Sequence, residues 1–364
     1  MSWIAVFLGF CLLIILHEAG HFVAAKATGM RVERFFLFFG PTIWSFKRGE
    51  TEYGVKAIPL GGYVKITGMN PEEDVSPEVE DRAYYRQDVW KRIVVVAAGP
   101  AVNIVLAFAI LFGVYLAAGK PQIEQSVGEV KAGTPAAKVL QPGDRIVAVD
   151  GNSYAGLDTE ERLVRFGNQV ASHECAGNQV EGCRAATPVR LEVERGGKSL
   201  SFTVFPRYDA GVKRALIGFS YGSVNEAIGP GTAASEAGNA IWEVASGTVH
   251  VFTHLFESQQ REQVSGVVGI SDVGHQVVEK SLERALLMLA LVSLSLGLVN
   301  LLPILPLDGG HIFWSLVEKV RGRPASLRVM ERATVVGIAL VMMLFFLGLS
   351  NDIGRITGEG FQVR

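Results

Sequence analysis

The chain has 364 residues, 49% of them hydrophobic and only 19% charged, with a mean hydropathy of +0.29. The hydrophobic share and the hydropathy are high for a soluble protein and predict that the apolar residues are clumped, and the length leaves room for two or three domains. A net charge of −2 and a pI near 6.4 give no footprint for a nucleic-acid partner.

Apolar residues concentrate in four stretches, roughly 3 to 25, 93 to 118, 285 to 305 and 333 to 349. Each is near the ~20 residues that a helix needs to cross a hydrocarbon core. The first runs on into His17-Glu18 and does not end at a small-residue cleavage site, which argues against a cleaved secretory signal. After it, residues 35–67 carry short apolar runs broken at Lys47-Arg48-Gly49-Glu50 and Leu60-Gly61-Gly62, and their alternation predicts β-hairpins. Residues 70–81 are acidic and proline-bearing, a solvated linker into the second stretch.

A domain is expected at 120–207. Thr134-Pro135-Ala136-Ala137 looks like a helix start, Arg145 to Gly151 like a strand ending in a turn, and Val189–Glu194 with Ser199–Phe205 like a strand pair around Gly196-Gly197. These features resemble a PDZ domain, here with an insertion at 168–187 in which Cys175 and Cys183 are candidates for a disulfide. A linker and amphipathic segment is expected at 208–284, including a Ser265 to Ile270 run that precedes the third stretch. Basic residues cluster after the first stretch (Lys26, Arg31, Arg34, Lys47, Arg48) and between the third and fourth (Lys319, Arg321, Arg323, Arg328, Arg332). The positive-inside rule puts both loops in the cytoplasm and residues 119–284 outside.

Chemistry is signalled by His17-Glu18-Ala19-Gly20-His21, the pattern H-E-x-x-H. Its four-residue helical spacing sets two imidazoles on one face as zinc ligands, with the glutamate beside them as the base. The competing reading is a polar helix-packing cluster. Two imidazoles leave zinc short of the three protein ligands usual in catalytic sites. Asp308 is the candidate for the third: Pro303 and Pro306 break the helix ahead of it, and Gly309-Gly310 lets the backbone turn closely after it. A helix end capped by Asp308 is the alternative. His250 and His254 also stand four apart, but have no glutamate in the required place.

With His17, Glu18 and His21 in the first span, Gly99-Pro100-Ala101-Val102-Asn103 in the second and the Asn300 to Gly310 motif in the third, the chain resembles the site-2 protease intramembrane metalloproteases, in particular the bacterial branch that includes the regulator-of-sigma-E protease. The resemblance implies a four-span helical membrane protein with cores at 1–118 and 285–364, a membrane-associated β-hairpin region and an inserted extracytoplasmic PDZ-like α+β domain. It implies one Zn2+ on His17, His21 and Asp308, with Glu18 activating water. Gly99, Asn103, Asn300 and Pro303 are expected to position substrate. The expected partners are a transmembrane protein substrate, membrane lipid and a peptide ligand of the PDZ-like domain. The expected reaction is endoproteolysis of single-span proteins, such as anti-sigma factors or signal-peptide remnants, after a first extracytoplasmic cut. It would take place in the bacterial inner membrane, with the zinc nearer the cytoplasmic side. The rival is a noncatalytic membrane PDZ scaffold with a structural zinc. A zinc transporter lacks the further polar spans that a permeation path needs.

Overall fold

The computed structural model describes residues 2–70, 73–154, 156–254 and 281–357. The Ser265–Ile270 run and His275 lie outside the described residues. The chain divides into two compact units, one formed by 1–117 with 229–364, the other by 118–228.

In the first unit, four helices among the described residues are long and apolar enough to cross a membrane: α1 (Ser2–Ala27), α2 (Val89–Ala118), α5 (Leu282–Asn300) and α7 (Leu327–Thr357). Helix α1 is apolar on every side, yet its buried residues (Cys11, Leu13, Ile14, His17, Gly20, His21, Ala25) lie along one side, while Ile4, Leu8 and Val23 are more than half exposed. A helix with apolar residues left outside its packed stripe suits a lipid surround. Helix α4 (Pro230–Thr253) packs Ala237 into a cluster with Ala107 and Leu111 of α2 and Ala290 and Leu294 of α5. The third apolar stretch does not run unbroken to 305. Helix α5 ends at Asn300, residues 301–307 form a turn containing both prolines, and a separate helix α6 (Asp308–Arg321) follows. Asp308 is therefore the first residue of a helix and not the cap of one, the side chain of the preceding Leu307 making no capping bond.

Strands β1 (Val32–Arg48) and β2 (Thr51–Ile66) form one antiparallel pair. Each is bent, so that the pair folds over on itself: Phe35 faces both Val64 and Tyr53, and Leu37 both Gly62 and Val55, whereas Trp44 and Phe46 face only Val55 and Tyr53. The result is a small sheet of four segments in the order 42–48, 51–58, 32–39, 62–66. The bends fall at Gly40-Pro41 and Gly61-Gly62, where φ of +85° and +90° at Gly40 and Gly61 suits glycine alone. Among the described residues segment 42–48 is an outer edge, and Ile43, Trp44 and Phe46 on it are 70%, 59% and 46% exposed. At the tip of the hairpin, Glu50 accepts from Nη1 and Nη2 of Arg82 at 2.8 Å and pairs with Lys26. Those cations, Arg82 first, hold the Glu50 carboxyl down to about 2.

The second unit is a sheet in the order β10 (Phe219–Glu226), β3 (Lys120–Val130), β4 (Arg145–Val149), β6 (Val189–Arg195), β7 (Lys198–Val204), with β5 (Asn152–Ser153) on β4. Helix α3 (Thr159–Ala171) is started by Asp158, whose side chain accepts from Glu161 N, and it presses Phe166 and Val170 into a core with Val127, Ile146, Leu191 and Val193. Two expectations are corrected here. The Thr134-Pro135-Ala136-Ala137 helix start yields only a single 3-10 turn, Ala136–Lys138. Residues 208–228 are not linker: β8 (Arg207–Asp209), β9 (Arg214–Leu216) and β10 occupy them, and β10 pairs along β3, extending the unit past 207. Cys175 and Cys183 are joined in a disulfide with Cα atoms 6.2 Å apart.

Candidate metal centre

On α1, one helical turn separates His17 from His21, and the 86° angle between their rings lets both Nε2 atoms converge 3.3 Å apart. Asp308 comes to them from α6, its Oδ2 lying 3.3 Å from each Nε2. The three donors thus form a triangle of equal 3.3 Å sides, the single group of this kind among the described residues. A tetrahedral ion with zinc–donor bonds of about 2.0–2.1 Å holds its ligand atoms about 3.3–3.4 Å apart, so the donor set fits zinc. Two further observations agree. Asp308 Oδ2 is buried without a hydrogen-bond donor among the described residues, a costly state for an anion unless a cation completes it. His21 Nδ1 lies 2.9 Å from the Val95 carbonyl, and since a carbonyl only accepts, the proton sits on Nδ1 and leaves the Nε2 lone pair free for a metal.

Glu18 stands beside His17 and reaches β2. A side chain on Gly62 would crowd its Cγ. Gly99 of α2 lies against the His21 ring so closely that a Cβ there would overlap Nε2, Cε1 and Cδ2, and Gly20 of α1 touches the Ala98 carbonyl in the same crossing. Gly99 is thus placed to make room for a ligand.

The other residues expected to position substrate lie on α2, at the end of α5 and in the turn after it. Asn103 is fully buried one turn beyond Gly99; its backbone carbonyl accepts from Ser293 Oγ at 2.9 Å, and neither amide atom of its side chain has a partner among the described residues. Asn300 donates to the Leu296 carbonyl of its own helix at 3.0 Å, and Pro303 is exposed within the 301–307 turn. His250 in the last turn of α4 and His254 just past its end have ring centroids 4.2 Å apart, and they belong to no three-donor group among the described residues. Sequence reasoning missed the Val95 carbonyl, which carries no side-chain signal, and the part played by Gly20, although small residues within spans do mark close helix approach.

The model of peptidase family M50 matches residues 5–344. Zinc metalloprotease Rip1 of Mycolicibacterium smegmatis is 32% identical, over 90% of this chain and 88% of its own. Its namesake in Mycobacterium tuberculosis is 34% identical, over 86% and 85%. A Rhizobium meliloti protein is 30% identical, with 95% of each chain covered. Among solved structures, the PDZ domain of an SdrC-like protein from Listeria monocytogenes matches 26% of this chain at 23% identity with a TM-score of 0.20, too low to bear on fold.

Proposed function

We propose, from the premise that this chain belongs to peptidase family M50, the site-2 protease family of zinc metalloproteases, that it cuts single-span membrane proteins within the bilayer through one zinc held by His17, His21 and Asp308. The observation that carries this reading is the 3.3 Å triangle of donors with Glu18 next to it. When bound, the ion supplies Lewis-acid polarisation of the scissile carbonyl and a lowered pKa for the attacking water. Glu18 takes the proton from that water and returns it to the departing amine. The Val95 carbonyl keeps His21 in the tautomer and orientation that present Nε2.

A helical substrate hides its carbonyls in its own hydrogen bonds, so the segment to be cut must first unwind. Among the described residues segment 62–66 pairs on one side only, with 32–37, and it passes Glu18 at Gly62. An unwound strand added along this sheet would bring its carbonyls towards Glu18 by β-augmentation. Gly99, Asn103, Asn300 and Pro303 remain assigned to substrate positioning, Gly99 by way of His21.

The proposed setting is the bacterial inner membrane. The basic residues of α6 and of the turn into α7 would face the cytoplasm and the 118–228 unit the outside, where a PDZ-like groove takes peptide. Substrates already trimmed on the outer side are the proposed class, anti-sigma factors and signal-peptide remnants among them.

The test uses full-length protein in detergent with a model single-span substrate. Cleavage should stop on chelation and return with zinc. Glu18→Gln should abolish cleavage while keeping the metal. Metal retention without any cleavage by the wild type would instead support the noncatalytic scaffold.

A further inference from the structure

The donor triangle is assembled from two helices, α1 and α6, and both are referenced to a third. Helix α2 holds His21 through the Val95 carbonyl and accommodates its ring at Gly99. One turn before Val95, the same helix presents Arg92, which is 8% exposed. Arg92 donates through Nη1 and Nη2 to the two carboxylate oxygens of Glu318 at 3.0 and 2.6 Å. Glu318 lies near the end of α6, the helix that Asp308 begins. The Tyr84 ring flanks the guanidinium at 5.8 Å.

We infer that Arg92 and Glu318 are positioning residues whose ion pair sets α6 in register with α2, and so fixes Asp308 relative to His21. The inference rests on the zinc-site reading above. Ten residues separate Asp308 from Glu318, about 15 Å of helix, so the pair acts at the far end of the element from the ligand. At the near end, Gly309 and Gly310 seat the helix on the 301–305 backbone, and Ile312 packs against the cluster around Val95 and Val96. Apolar contacts of this kind are non-directional and permit small rotations and slides. A two-pronged guanidinium–carboxylate contact is planar and directional, and permits neither. Sliding α6 by one residue displaces Asp308 by about 1.5 Å, beyond the ~0.5 Å within which such a site must be held.

The experiment uses the full-length protein in detergent, loaded with zinc and separately with cobalt. Zinc release to a chelator and the visible absorption of the cobalt form are recorded for Arg92→Lys, Glu318→Gln and the exchanged pair Arg92→Glu/Glu318→Arg. The single variants should release zinc about 10- to 100-fold faster, as expected for groups that orient metal ligands. Their cobalt spectra should change, and the exchanged pair should recover most of both. Folded single variants with wild-type release and spectra overturn the inference, as does an exchanged pair no better than the singles. If the singles do not fold, Arg92→Met/Glu318→Leu removes both charges at little cost in stability; fast release supports the inference and wild-type release overturns it. His21→Ala serves as the control. Its keeping zinc would remove the metal site itself, an outcome distinct from failure of the ion pair.

Discussion

Replacing Gly99 by alanine tests whether the metal site depends on the closeness of α1 and α2. The added methyl would overlap three atoms of the His21 ring, whereas carbon contacts settle at about 3.5–4.0 Å, so the ring or the helix must retreat by on the order of 1 Å. The ring has little freedom to do so, because its Nδ1 is bound to the Val95 carbonyl at 2.9 Å and the backbones already touch at Gly20 and Ala98. Moving it forfeits a buried hydrogen bond worth about 1 kcal/mol, and leaves buried groups unpaired at about 1–3 kcal/mol more. A ligand displaced by about 1 Å lowers rate by about 10²-fold, or about 2.7 kcal/mol in the barrier. Gly99→Ala should therefore lose zinc, measured by elemental analysis of the purified protein, and cleave a model substrate at least about 10²-fold more slowly. Full zinc with wild-type cleavage would refute the argument. Full zinc with slow cleavage would return Gly99 to direct contact with substrate.

Asp308→Ala should lose both zinc and cleavage; an alanine variant that still holds one zinc per chain removes Asp308 from the ligand set. The Glu50 carboxyl is held at about 2 by Arg82 and Lys26, against an ordinary 4.5, so it is depressed in the folded chain. Its contribution is therefore complete above about pH 4.5 and fades as pH falls towards 2; the melting temperature gap between wild type and Glu50→Gln should be flat at neutral pH and close on acidification. The Cys175–Cys183 bridge spans 8 residues of sequence, so reduction should destabilise the 118–228 unit by roughly 2–3 kcal/mol in denaturant melts. An unchanged melt, or no mass shift of the bridged peptide on reduction, would count against it. Single cysteines placed at Ser199 and Ser326 in a Cys-free background should label from opposite membrane faces with an impermeant thiol reagent. Labelling from the same face would overturn the sidedness.

The legible parts of this molecule are those whose signal is local. A four-residue spacing is enough to put His17 and His21 on one stripe of α1, and two prolines are enough to end α5 before Asp308. The juxtaposition of those parts is not written locally. The contact between Arg92 and Glu318 joins residues 226 apart in sequence, and the Val95 carbonyl is backbone that any residue could supply. Helix α6 was hidden because its second half carries the charges that mark a cytoplasmic loop. Strands β8 and β9 have 3 residues each, too few for an alternation to stand out, which made 208–228 read as linker. The doubled pairing of β1 and β2 depends on bends at Gly40 and Gly61, which signal a turn without saying which segments meet after it.

The sheet edge at 42–48 limits how this protein can be handled. Ile43, Trp44 and Phe46 are exposed along a row of backbone groups with no partner strand among the described residues, the arrangement by which separate chains join edge to edge into aggregates. Residues 32–66 produced alone in water should therefore precipitate or form fibres at concentrations where the 118–228 unit, whose core is its own, stays dissolved. Detergent would have to mask that edge as well as the spans, and a surfactant chosen only for its grip on helices would leave the purified protein prone to slow clumping.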